Sequence, residues 1–188
     1  LNEVPQPGKK KNAKTGKLET NGLWVSRVTA SRYSEGRVYL ALNGYRSDDF
    51  LPYLYVSDDY GKSWKKIGND LPNEPVNVVK EDPVNDSILY VGTDGGLYVS
   101  FDAGTHFMMW DAGLPYSVPV HDIAIQERDN DIVLGTHGRS IYIANLKDVQ
   151  MLQKDPEWMK KKREMEKKKK PAPKEEDDDE EAMTAEND

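Results

Sequence analysis

Aromatic, imidazole, guanidinium and carboxylate side chains gather in this sequence where short apolar runs end. The stretch NGYRSDDFLP holds Tyr45, Arg46, Asp48 and Asp49, TDGG holds Asp94, PYSVPVHD holds Tyr116 and His121, THGRS holds His137 and Arg139, and Trp24 opens an apolar run of its own. Aromatic rings beside carboxylates suit sugars, and arginine with histidine suits an acidic group. Each of these residues also has a purely structural reading. His121 and His137 begin or end strands and would serve equally as edge histidines. Arg139 could pair with Asp94 or Asp122 as a bridge between neighbouring units, and Asp48 and Asp49 could simply solvate a long loop.

Other chemistry is absent from the sequence. Asp48 and Asp49 are adjacent, so they point to different sides and do not form an acid–base pair. A glycosidase needs two carboxyls about 5–10 Å apart across a cleft. Any such pair here would have to join distant segments, as Asp49 with Asp94. No catalytic set can be assigned. GTDGG lies between two strand-like runs and before no helix, so it is not a phosphate loop, and no Gly-x-Ser-x-Gly elbow is present. His106, His121 and His137 lack metal-ligand spacing, cysteine is absent, and neither a metal nor a cofactor is expected.

The elements that must position these side chains come from a repeat. LYVSDDYGKSWKKI from Leu54 and LYVSFDAGTHFMMW from Leu97 are copies of one stretch. Ser57, Asp59, Gly61 and Trp64 stand opposite Ser100, Asp102, Gly104 and Phe107, with Ser63 opposite Thr105–His106. VNVVKEDPVNDSILYVGTDGGLYVS from Val76 likewise resembles VHDIAIQERDNDIVLGTHGRSIYIA from Val120, and a looser copy starts at Val25. Each unit holds about four runs of Val, Ile, Leu and Tyr separated by Gly, Pro, Asn and Asp, at a period of roughly 40–45 residues, which is the pattern of a β-propeller blade. The expected fold is therefore all-β, with blades at 23–75, 76–119 and 120–146 inside a propeller segment 23–153. That makes two and a half to three four-stranded blades, an incomplete ring, because closure takes roughly four to eight.

In the motif itself, a short carboxylate can accept hydrogen bonds from the N–H groups of its own turn. A following glycine supplies the positive φ the turn needs, and the aromatic residue folds back on the blade. On this reading Ser57, Asp59, Gly61, Trp64, Ser100, Asp102, Gly104 and Phe107 are structural.

SDDYGKSW, Ser57 to Trp64, resembles the Asp-box, or BNR repeat, found in sialidases, xyloglucanase-like glycoside hydrolases, sortilin-type receptor propellers and photosystem II assembly factors. The text from Val76 to Ile143 is similar to the C-terminal blades of large exported bacterial proteins of the sortilin and glycosyl hydrolase type. Phe107 replaces the tryptophan of the second box, and the third unit has none. The resemblance implies a scaffold with a ligand- or protein-binding face, or part of a carbohydrate-active hydrolase whose catalytic residues lie in other blades. It also implies an exported protein whose partners are the remaining blades and a polysaccharide or protein ligand.

Charge narrows the partners. The first 22 residues carry five lysines against Glu3 and Glu19, and residues 160–188 carry nine basic against eleven acidic groups. The net charge of −7 therefore leaves residues 23–159 at −8. An acidic body argues against nucleic acid. No run is apolar enough to span a membrane, and no signal peptide is visible. Residues 1–22 read as a lysine-rich linker or loop. Residues 154–188 read as a short helix near Asp155–Met159, started by Pro156, and then a disordered basic and acidic tail.

Overall fold

The computed structural model describes residues 4–5, 10–11, 18–19, 23–152 and 164. Two units divide the chain, Leu1–Lys154 and Asp155–Asp188. The helix expected near Asp155–Met159 and the charged tail lie outside the described residues. In the segment read as a linker, β1 (Lys10–Lys11) pairs antiparallel with β2 (Leu18–Glu19).

Three antiparallel sheets follow. The first blade is β3 (Trp24–Ala30), β4 (Val38–Gly44), β5 (Asp49–Ser57) and β6 (Lys65–Ile67), in that spatial order. The second is β7 (Val76–Glu81), β8 (Leu89–Thr93), β9 (Leu97–Ser100) and β10 (Met108–Met109). The third has three strands, β11 (Val120–Gln126), β12 (Asp131–Thr136) and β13 (Ile141–Asn145). These are consecutive β-propeller blades, with β3, β7 and β11 as their inner strands.

The middle blade lies between two others, so both of its faces are covered. Its strands therefore bury consecutive residues rather than alternate ones, and every residue of β8 and β9 is buried. The registers place Tyr39, Ala41, Leu54 and Val56 of the first blade in the same sheet positions as Tyr90, Gly92, Leu97 and Val99 of the second and Val133, Gly135, Ile141 and Ile143 of the third. In the first blade these residues pack with Val76, Val79, Leu89, Val91 and Phe107 of the second in one cluster. In the third blade Ile141 and Ile143 are 65% and 68% exposed.

The small residue in this row marks where the next inner strand crosses. A Cβ on Gly92 would lie 2.8 Å from the Val120 carbonyl oxygen and 2.7 Å from Val78 Cγ1, whereas one on Gly135 would meet nothing closer than 3.6 Å.

Both boxed turns close in the same way. Ser57 Oγ accepts from the N–H of Gly61 (2.9 Å) and donates to Asp59 Oδ1 (2.8 Å), while Asp59 accepts from the N–H and hydroxyl of Ser63 at 2.8 and 2.6 Å. Ser100 Oγ accepts from Gly104 N–H (2.9 Å), and Asp102 accepts from the N–H of His106 (2.8 Å) and lies 2.7 Å from its Nδ1. The His106 imidazole thus takes the place of the Ser63 hydroxyl. Gly61 and Gly104 have φ of 80° and 86°. Phe107 is buried between the first two blades, and Trp64 packs on the opposite face of the first blade against Leu40, Leu42, Tyr53 and Tyr55. Hydrogen bonds from the Ser63 side chain and backbone, then from Ser57, lower the Asp59 carboxyl to about 2.

The described helix is α1 (Lys147–Leu152), seven residues or more before the expected one. Its first N–H is met by Asn145 Oδ1, as a cap residue does. Leu146 and Val149 are buried, and Gln150 Nε2 donates to the fully buried Asp82 at 2.9 and 3.2 Å and to Asn130 at 3.1 Å. The helix therefore docks the end of the third blade against the second.

Gly92→Ala should destabilise the chain by about 1–3 kcal/mol, because backbone and two valines must move, while Gly135→Ala should stay within about 0.5 kcal/mol of wild type; urea unfolding of both variants checks this. Ser100→Ala leaves the buried Gly104 N–H without its acceptor and should cost about 1–3 kcal/mol, against about 0–1 for Asp58→Ala, an exposed carboxylate paired with Arg37. Because the Asp59 pKa is lowered on folding, its contribution is complete above about pH 4 and is lost as pH falls towards 2. Melting temperature should accordingly fall less steeply across that window in Asp59→Asn than in wild type.

Candidate functional site

Antiparallel order sorts the loops to two ends. The boxed turns lie at one end, and the β4–β5, β8–β9 and β12–β13 turns lie at the other with the entries to β3, β7 and β11. At that second end each inner strand carries a bulge, between Val25 and Arg27, Val76 and Val78, and Val120 and Asp122. A bulge leaves one residue unpaired and re-aims its side chain. The extra residues are Ser26, Asn77 and His121. At the ends of the neighbouring second strands stand Asn43, Asp94 and His137, again in matching positions of the three blades.

These residues form a zigzag that crosses both blade junctions. Asn43 Nδ2 donates to Asn77 Oδ1 (3.0 Å), Asn77 Nδ2 donates to Asp94 Oδ1 (2.8 Å), Asp94 Oδ1 lies 4.0 Å from His121 Nε2, and the His121 and His137 rings are 5.4 Å apart between centroids. Two bulge residues also bind the next inner strand: Ser26 Oγ donates to the Val76 carbonyl at 2.8 Å, and Asn77 Nδ2 to the Val120 carbonyl at 3.3 Å. Arg27 skips the middle blade and pairs with Asp122 at 2.6 Å, and at the other end Arg32 pairs with Glu127 at 2.8 Å.

Above the zigzag is an open cavity of about 680 Å³, lined among others by Trp24, Arg27, Tyr45, Arg46, Asp94, His121 and His137. The first blade supplies its aromatic wall. A one-turn 3-10 helix, Tyr45–Ser47, lifts Tyr45 against Phe50, edge to face at 5.7 Å, and sets the Arg46 guanidinium 4.9 Å from the Trp24 ring centre. Asp94 is the one carboxylate among the residues lining this cavity.

Six of the ten residues singled out from the sequence, Trp24, Tyr45, Arg46, Asp94, His121 and His137, are therefore brought together. The other four are not. Asp48 turns away in a left-handed conformation, φ 53°, after the 3-10 helix. Asp49 is occupied by Leu51 N–H (3.2 Å) and the Tyr53 hydroxyl (2.8 Å); burial and this carboxylate push the Tyr53 phenol up. Tyr116, 88% exposed, belongs to a separate hollow of about 100 Å³ with Trp110 and Pro115. Arg139 is exposed on the β12–β13 turn and makes no ion pair among the described residues. The bridge imagined from Arg139 to Asp122 is made by Arg27 instead. Asp94 lines this cavity and Asp49 does not. Sequence reasoning missed Ser26, Arg27, Asn43 and Asn77. The repeat register was the signal that would have found three of them, because it aligns them with His121 and His137. Among the described residues no group of three or more His, Asp or Glu side chains is placed to hold a metal ion.

Comparison with known proteins agrees with this architecture. Residues 53–187 match the Sortilin-Vps10 family, described as sortilin, neurotensin receptor 3. An ancestral GH74 enzyme of known structure superimposes with a TM-score of 0.51 at 26% identity, over 61% of this chain and 14% of its own. The GH74 enzyme of Niastella koreensis gives a TM-score of 0.51 at 17% identity, over 64% and 21%, and the GH74 xyloglucanase of Xanthomonas campestris 0.48 at 20%, over 62% and 20%. The chain thus spans between about a seventh and a fifth of the length of these structures. No curated protein matches it.

The zigzag separates residues that hold the blades from residues that face the cavity. Asn77→Ala removes three hydrogen bonds and should cost about 1–3 kcal/mol. His137→Ala, whose ring bonds to no other described residue, should stay within about 0.5 kcal/mol of wild type. Urea unfolding read by tryptophan fluorescence distinguishes the two.

Proposed function

The chain belongs to the Sortilin-Vps10 family, and from that premise we propose that it serves as scaffold and ligand-binding face of a larger propeller protein, with the cavity above the zigzag as its binding mouth. One observation carries the reading: aromatic, guanidinium, imidazole and carboxylate groups from all three blades converge on a single cavity. The opposite end holds turns whose polar groups satisfy one another. An oligosaccharide fits the mouth best, since exposed aromatic faces suit sugar rings and flanking polar groups fix orientation. A protein segment is the alternative ligand.

A second reading, part of a carbohydrate-active hydrolase, is favoured by the 26% identity with an ancestral GH74 enzyme. Glycoside hydrolysis takes two carboxyl groups, and Asp94 is the single carboxylate lining the cavity, already engaged by Asn77. On this reading the other carboxyl comes from outside the described residues, and the chain binds substrate.

The exposed face of the third blade supports further blades as partners. Ile141 occupies a position buried in both preceding blades and Ile143 one that is buried in the second and partly buried in the first, and Gly135 leaves the gap in which Gly92 admits the next inner strand. Export is proposed on the likeness to sortilin-type propellers. No helix among the described residues is long and apolar enough to cross a membrane.

Calorimetric titration of the chain with oligosaccharides tests the mouth. Trp24→Ala or Arg46→Ala should weaken binding roughly tenfold, about 1.4 kcal/mol, and Asp102→Ala, compared at a temperature where it is folded, should bind as wild type. Normal binding by the mouth variants with loss in Asp102→Ala would place the ligand at the wrong end.

A further inference from the structure

We propose that the mouth selects an acidic saccharide, one that carries a carboxylate on a sugar ring; this rests on the mouth being the binding face. The polar groups around the cavity are unevenly engaged. Its carboxylates are each engaged through one oxygen. Asp94 accepts from Asn77 at 2.8 Å and faces His121 at 4.0 Å, and Asp122 is held by Arg27 at 2.6 Å and by the Ile123 N–H at 2.9 Å. Its donors are not. Arg46 has no carboxylate partner among the described residues and touches only the Trp24 ring. Arg27 Nε is buried with no acceptor. The rings of His121 and His137 stack on each other rather than on an acceptor, apart from the 4.0 Å approach to Asp94.

Arg27 Nε lies beneath the cavity surface, so the donors a ligand can reach are Arg46 and the two imidazoles. A guanidinium and two imidazoles lining one cavity offer charge-assisted hydrogen bonds to a carboxylate. The preference is local, because the whole chain carries −7 and its overall field repels anions. The sugar part of the ligand follows from the wall. Tyr45 is largely exposed and held edge to face by Phe50, so a pyranose ring can lie against a fixed aromatic surface. A peptide carboxylate would use the same cations but would leave that surface without a flat partner.

Calorimetry on the full chain decides the matter, with tetragalacturonate, cellotetraose and tetraglutamate as probes. Tetragalacturonate should bind at least tenfold more tightly than cellotetraose, and its advantage should shrink with added salt. Arg46→Gln and His137→Gln should each cut the ratio of acidic to neutral affinity at least fivefold, with melting temperatures near wild type. Cellotetraose binding as well as or better than tetragalacturonate overturns the acidic preference and leaves the mouth as a sugar site. Tetraglutamate binding while both sugars fail overturns the saccharide. No binding of any probe at millimolar concentration overturns this inference together with the mouth itself. Variants that lower acidic and neutral affinity in parallel also count against it, since that is loss of the site's shape rather than of its charge.

Discussion

A four-stranded sheet with two apolar faces cannot bury both by itself. Each blade here needs a neighbour on either side, and the rest of the architecture follows from that need. It makes the middle blade's strands bury consecutive residues rather than alternate ones. It puts alanine or glycine where the next inner strand crosses, with Gly92 against the Val120 backbone as the tightest case. It also explains why the third blade, with no further sheet on it among the described residues, shows Ile141 and Ile143 to solvent. Such a face is an aggregation hazard unless it is covered.

Apolar faces hold the blades together but do not fix how far one slides along the next. The bulge residues do that. Ser26 and Asn77 each reach a carbonyl of the following inner strand, and the Arg27–Asp122 and Arg32–Glu127 pairs span from first blade to third at both ends of the inner strands. The same bulges that lock the junctions turn their side chains towards the mouth. Binding face and blade register are therefore built from one set of residues. Asn77 is the joint between them, tied to Asn43, Asp94 and Val120.

The fold was legible because its signals are local and repeated. A strand, a Ser-x-Asp-x-Gly turn and an aromatic residue, copied 43 positions on, can be read without knowing any long-range contact. The mouth was only partly legible. Loop residues with unusual chemistry stood out, but Asn43, Asn77 and Ser26 read as ordinary strand residues, since a bulge has no local signature and only the repeat register marks them. Arg27 and Asp122 lie 95 residues apart, beyond any local rule. Asp49 looked free because the hydroxyl that occupies it belongs to Tyr53, four residues along the same strand. Helix α1 is too short to show a period; its place is set by Gln150 reaching Asp82 rather than by propensity.

The chain has three histidines, and their placement gives the central claim its most direct measurement. His121 and His137 line the mouth, while His106 closes the Asp102 turn at the other end. Imidazole resonances followed by NMR during titration with an oligosaccharide therefore report on both ends at once. If the mouth is the binding face, the His121 and His137 signals shift together and saturate at one affinity while His106 stays still. A shift confined to His106, or none at all under saturating ligand, would contradict the account.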